Sequence, residues 1–185
     1  MLRVFLFLLV FSFVPAKGDC GRFSGPDPKV SPAFRSRYTN PTFGYRIRLP
    51  HHIVAYGEPP PQPAHGVGIS LSREPRSYLY IDGSYNSGFA PDVATVAHDH
   101  EGYVRQDSLS VQRVTRTWAR LGSRKALRLR MEHSCSLGSF VTDEIFLLKR
   151  DIIYTVSLTA PKTRYRQDKR VLEAIARSFE FTKPL

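Results

Sequence analysis

Residues 109–131 read LSVQRVTRTWARLGSRKALRLRM, and residues 140–158 read FVTDEIFLLKRDIIYTVSL. In the first stretch Leu109, Val111, Arg113, Thr115, Thr117 and Ala119 share one face, while Val114, Arg116 and Trp118 share the other. A period of two is the signature of a strand, because successive side chains point to opposite sides of a pleated backbone. Leu121-Gly122-Ser123-Arg124 has turn chemistry, and Ala126–Met131 returns with Leu127, Leu129 and Met131 directed inward. Gly138 and Ser139 mark another turn before a strand over Phe140–Leu148. Lys149-Arg150-Asp151 is a polar turn into a last strand over Ile152–Leu158. Short links between strands allow only antiparallel neighbours, so these four segments predict a meander.

Working outward, Pro161 breaks the pattern and Tyr165–Arg177 is predicted helical. Val171, Leu172, Ile175 and Phe179 form its apolar stripe. On the N-terminal side, Pro91–Gly102 carries Pro91 and Asp92 where a helix starts, with Gly102 as its expected stop. Tyr78, Tyr80 and Asp82 alternate with Leu79 and Ile81, and Val67, Ile69 and Leu71 mark the strand before them. A Pro-rich loop, residues 51–65, separates that strand from Phe43-Gly-Tyr-Arg-Ile-Arg-Leu-Pro50, whose Arg46 and Arg48 lie opposite its apolar residues. Together these predict an α+β domain: six or seven antiparallel strands with two helices on one side.

The first eighteen residues, MLRVFLFLLVFSFVPAKG, have the three regions of a secretory signal peptide. Arg3 precedes an apolar run that is too short to span a bilayer, and Ala16-Lys17-Gly18 has the small-x-small cleavage pattern. The expectation is a signal peptide over 1–18, an irregular arm over 19–42 and a single domain over 43–185. No later apolar stretch exceeds strand length, so the mature chain is expected without a transmembrane segment, in the periplasm or secreted. Export puts Cys20 and Cys135 where disulfides persist, and the two are expected to form one bridge closing a long loop. Such a closure is worth about 4 kcal/mol in the chain-entropy account.

The net charge of +11 becomes +9 when Arg3 and Lys17 leave with the leader. A positive field of this size draws anionic partners. For an exported chain an acidic protein ranks above nucleic acid. Six arginines fall within the first quoted stretch: Arg113, Arg116, Arg120, Arg124, Arg128 and Arg130, with Trp118 among them. If Leu127 and Leu129 face the core, alternation turns Arg128 and Arg130 outward. These seven residues are the candidate partner-binding set. Tyr78, Tyr80, Tyr85 and Phe89 form a second candidate surface.

Catalytic motifs are missing from the sequence: there is no H-E-x-x-H, no G-x-S-x-G around Ser70 or Ser87, and no phosphate-binding glycine loop. His98-Asp99-His100-Glu101 is the densest group of metal-ligand types. On a helix His98 and His100 point about 200° apart, so the two would not share one ion. A third ligand from His133, Asp143 or Glu144 has no support in spacing. A triad from Asp82 and His98 is equally unsupported. No cofactor is expected.

The order of parts resembles the Mog1/PsbP-like superfamily. The resemblance runs from Phe43–Pro50 through the Ala119–Ala126 hairpin and Asp151–Leu158 to Arg170–Phe181, whose Ala-Ile-Ala-Arg-Ser-Phe ending is similar to that of the group. It implies an α/β/α sandwich around a mainly antiparallel sheet, in an exported bacterial member. It also implies a binding module without shared catalytic residues, and some immunity proteins against secreted toxins are similar in fold. The expected function is therefore binding of an acidic protein partner, in the manner of a toxin-neutralising immunity protein. An envelope-accessory protein, or a hydrolase with a dispersed site, is the alternative.

Overall fold

In the computed structural model, which describes residues 29–57, 65–73 and 76–182, the quoted stretches fall in four long strands joined by hairpins. In chain order the elements are β1 (Ala33–Phe34), β2 (Arg37–Asn40), β3 (Tyr45–Arg48), β4 (Ala55–Gly57), β5 (Gly66–Arg73), β6 (Arg76–Tyr85) and α1 (Val93–Asp107). There follow β7 (Ser110–Leu121), β8 (Arg124–Cys135), β9 (Gly138–Lys149), β10 (Ile152–Pro161), α2 (Tyr165–Ser178) and β11 (Glu180–Phe181).

Eight strands make one antiparallel sheet in the order β1-β4-β5-β6-β10-β9-β8-β7, and a three-stranded sheet has the order β11-β3-β2. The expected meander is β7 to β10, each strand paired with the next. Strand β6 then joins β10 from the far side, with Ile81 opposite Val156 and Leu79 opposite Leu158.

Neighbouring residues of β9 show how the layers are arranged. Ile145 is buried with Val156, Leu158, Leu172 and Ile175, which is the α2 side. Phe146 is buried with Leu127, Leu129, Met131, Val96 and Ala97, which is the α1 side. The helices therefore lie on opposite faces of the sheet, as in an α/β/α sandwich, and not together on one side as the periodicity alone predicts. The small sheet lies on the α2 side: Tyr45 and Ile47 of β3 are fully buried, and the Tyr45 ring stacks on Phe179 at 5.0 Å.

Three local readings change in the structure. Helix α1 runs through Gly102 to Asp107, because a glycine on an open helix surface costs only about 1 kcal/mol and does not end the helix. Its start is as read, with Asp92 Oδ1 accepting from the Thr95 N–H at 2.8 Å. Strand β7 carries a bulge between Val111 and Arg113, which moves Val111 to the face of Val114. The arm contains β1 and β2, which pair with β4 and β3.

For the expected Cys20–Cys135 disulfide, the described residues include only the Cys135 end. Cys20 and the signal-peptide residues lie outside the described residues. Cys135 is buried at the β8–β9 turn and is disulfide-bonded, not a free thiol, and its Sγ accepts from the Leu137 N–H at 3.4 Å. Backbone bonds also hold the described part of the arm. Gly57 donates to the Pro32 carbonyl and Leu49 to the Ser36 carbonyl, each at 2.9 Å.

The β7–β8 turn is fixed to the end of α2. Gly122 sits at φ +57° and donates to the Ala176 carbonyl at 2.7 Å. A Cβ there would lie 2.0 Å from the Phe179 carbonyl oxygen, so only glycine fits.

Candidate binding sites

The candidate arginines divide between the two faces of the hairpin. Arg128 is on the α2 face and its side chain is only 16% exposed. Its Nε and Nη2 donate to the two oxygens of Asp143, each at 2.6 Å, and Nη1 donates to Glu173 Oε1 at 2.7 Å. The Tyr165 hydroxyl also donates to Asp143 Oδ2. Burial opposes the Arg128 charge, but Asp143 and Glu173 outweigh it and raise its pKa. Burial, reinforced by Asp143, pushes the Tyr165 phenol up to about 12. This group joins β8 and β9 to α2, so Arg128 serves the fold and is not an outward-facing member of a ribbon.

The other candidates are nearer solvent. On the α1 face Arg116 pairs with Glu101, which is also held by Arg105 at 2.7 Å. Trp118 is 62% exposed, with Lys125 Nζ 3.8 Å from its ring centroid. Arg120 donates to the Ser123 carbonyl at 2.5 Å. On the α2 face Arg113 and Arg124 are exposed and Arg130 is half-buried. Arg130 joins Thr115, Thr117, Arg128 and Lys169 around a shallow hollow. The structure thus brings Arg116, Trp118, Arg120 and Lys125 together as one exposed pad.

A second region is less evident from sequence. Helix α1 packs on β8 and β9, and among the described residues no other helix covers the rest of that sheet face. Alternation places Arg76, Tyr78, Tyr80, Asp82 and Ser84 of β6 on that open half, beside Ile153, Thr155, Ser157 and Thr159 of β10. With Glu144 of β9 and His100 of α1 they line a cavity of about 270 Å³. Glu144 is 5% exposed; its Oε1 accepts from Ser157 Oγ at 3.0 Å, and its Oε2 is buried without a hydrogen-bond partner among the described residues. His100 Nδ1 stands 3.6 Å from Oε1. Burial acts to lower the His100 pKa, but the hydrogen bond and charge of Glu144, with Asp99 and Asp82, raise it overall. The Tyr80 hydroxyl donates to Asp82 Oδ1 at 3.3 Å.

The His98–Glu101 cluster fans out around α1. His98 is 79% exposed, His100 faces the cavity, and Glu101 turns to Arg105 and Arg116. Of the third ligands considered, Asp143 lies on the opposite sheet face. His133 is buried between Ser108 Oγ and Thr142 Oγ1, each 2.9 Å from a ring nitrogen, and burial lowers its pKa. Among the described residues no group of three or more His, Cys, Asp or Glu side chains is placed to hold a metal ion. Of the second candidate surface, Tyr78 and Tyr80 reach the cavity, Tyr85 lies on the other face against Phe43, and Phe89 is exposed in a turn. The sequence signal for the cavity is the alternation in β10, where Thr155, Ser157 and Thr159 interleave with Val156, Leu158 and Ala160.

No family model matches the chain, and no curated protein matches it in sequence. Solved structures do match in shape. The chain is similar to the cyanobacterial PsbP protein, CyanoP, of Synechocystis sp. PCC 6803, with a TM-score of 0.58 and 15% identity over 89% of this chain and 98% of that one. It is also similar to a Pseudomonas aeruginosa protein of unknown function, with a TM-score of 0.53 and 13% identity over 75% of this chain and 97% of that one. The fold is the Mog1/PsbP-like α+β sandwich.

Proposed function

We propose that this chain is an exported binding protein that presents the Arg116–Trp118–Arg120–Lys125 pad to an acidic protein partner, with no catalytic role. The observation that carries this reading is Trp118, a large aromatic left 62% exposed in the middle of a cationic surface. Aromatic anchors ringed by arginine are the commonest centres of protein interfaces. The lysine over the indole face adds a cation–π contact that holds the ring ready. Gly122 fixes the turn beside the pad to α2, so little ordering is needed on docking. The basic net charge supports an acidic partner, whose approach the field would speed at low salt. A toxin neutralised by this chain is the narrower form of the reading, and an envelope component is its other form. No helix among the described residues is long and apolar enough to cross a membrane.

The test is a pull-down from the exported fraction with wild type and with a Trp118→Ala, Arg120→Ser variant, at low and moderate salt. An acidic protein retained by wild type, released by salt and lost from the variant supports the proposal. Equal retention by both places the partner elsewhere. Arg128 is left intact in this test, because its loss would disturb the fold as well as the surface.

A further inference from the structure

Glu144 presents an unsolved chemical balance. A carboxylate that is 5% exposed is costly to bury, and buried polar atoms nearly always find partners. Its Oε2 has none among the described residues, and Oε1 has one serine hydroxyl at 3.0 Å. The nearest basic group recorded is the imidazole of His100 at 3.6 Å, 39% exposed and packed against the Phe146 ring at 4.7 Å. The cavity beside this pair is roomy, and its walls combine the tyrosines of β6 with the methyl-bearing Ile153, Thr155 and Thr159 of β10. Asp82 adds a second carboxylate on the same face, and Arg76 stands at the far end of β6.

We propose that this cavity is a binding site for a small organic cation, a protonated amine on an aromatic or apolar body. The ammonium group takes the counterion place beside Glu144 that His100 otherwise fills, donating to the carboxylate. The body lies against Tyr78, Tyr80 and Ile153, where removal from water and contact between cation and ring both favour it. The negative end of the cavity excludes an anion of the same shape. This site lies beside α1, away from the Trp118 pad, and does not rest on the reading of that pad.

Phenethylammonium is a suitable probe, with neutral 2-phenylethanol and anionic 3-phenylpropionate as controls. Binding to the purified protein is followed by calorimetry and by NMR shifts of the tyrosine rings and His100. The expected order is ammonium tightest, alcohol weaker and carboxylate undetectable, with shifts at Tyr78, Tyr80 and His100. Glu144→Gln should weaken the ammonium about tenfold or more, the loss of one charge-assisted hydrogen bond, and leave the alcohol unchanged. His100→Ala should tighten the ammonium by removing its competitor for Glu144. These opposite directions keep the test decisive if either variant folds poorly. Trp118→Ala should change nothing here, which separates failure of this site from failure of the pad. The proposal is overturned if alcohol and ammonium bind alike, if neither variant alters ammonium binding, or if the shifts map elsewhere.

Discussion

Asp143 and Glu144 are consecutive residues of one strand, both buried, yet their surroundings differ in kind. Asp143 faces α2 and has every strong partner it can use: both carboxylate oxygens on the Arg128 guanidinium, and the Tyr165 hydroxyl besides. Glu144 faces the half-open side, where one oxygen is unpartnered among the described residues and the imidazole of His100, 3.6 Å away, is the basic group beside the other. The same chemical group thus serves as a closed structural joint on one face and as an incomplete site on the other. The difference teaches that burial does not by itself separate structural charges from functional ones. Completeness of partnering does.

The largest test of that contrast removes Arg128. Arg128→Met leaves Asp143 buried without its cation and should cost about 3–5 kcal/mol in urea unfolding. An Arg128→Met, Asp143→Leu pair should recover much of this, since the cost lies in the orphaned charge. A loss below about 1 kcal/mol from the single change would mean that water, not the ion pair, satisfies Asp143. By comparison Glu144→Gln removes an incompletely paired charge and keeps an acceptor for Ser157. It should change stability by less than about 1 kcal/mol, measured in the same way.

The smallest effect comes from two histidines that titrate in opposite senses. His100 has a raised pKa in the folded state, so its contribution is fully present below the unfolded value and is lost as pH rises through the folded one. His133 has a lowered pKa, so folding loses stability as pH falls through the ordinary histidine range. The two slopes partly cancel in wild type. In His100→Ala the acid-side loss from His133 should stand alone, and stability against pH should become steeper between about 7 and 5. An unchanged profile would mean that Glu144 does not hold the His100 proton.

The periodicity of residues 109–158 and 165–179 was enough to place the long strands, the Gly122 turn and α2, because each carries an apolar face that must be buried. It could not tell that helices cover both sides. Leu129 and Arg128 look like inside and outside, whereas both point at protein, and the partners that make this tolerable, Asp143 and Glu173, are 15 and 45 residues away. The bulge in β7 was equally invisible, since one extra residue changes faces without changing composition. At the cavity, Tyr78 and Tyr80 were legible as a candidate surface, and His100 and Glu144 were noticed only as potential ligands. Their meeting depends on where α1 stops covering the sheet, a property of the packed layers that no local pattern encodes.

One consequence follows from the position of β7. It is the last strand of the eight-stranded sheet, twelve residues long, and among the described residues nothing pairs with its outer side. An open edge of this length is a template on which a second copy could add its own strand. The opposite margin, β1, is only two residues long and offers no such template. In an antiparallel pairing of two copies centred on Trp118, Arg116 of each strand would stand across from Arg120 of the other, and like charges set across from each other disfavour it. The bulge next to Arg113 breaks the flat run of donors and acceptors further. The arginines proposed to meet an acidic partner on this margin are thus the ones that disfavour the pairing of two copies along it.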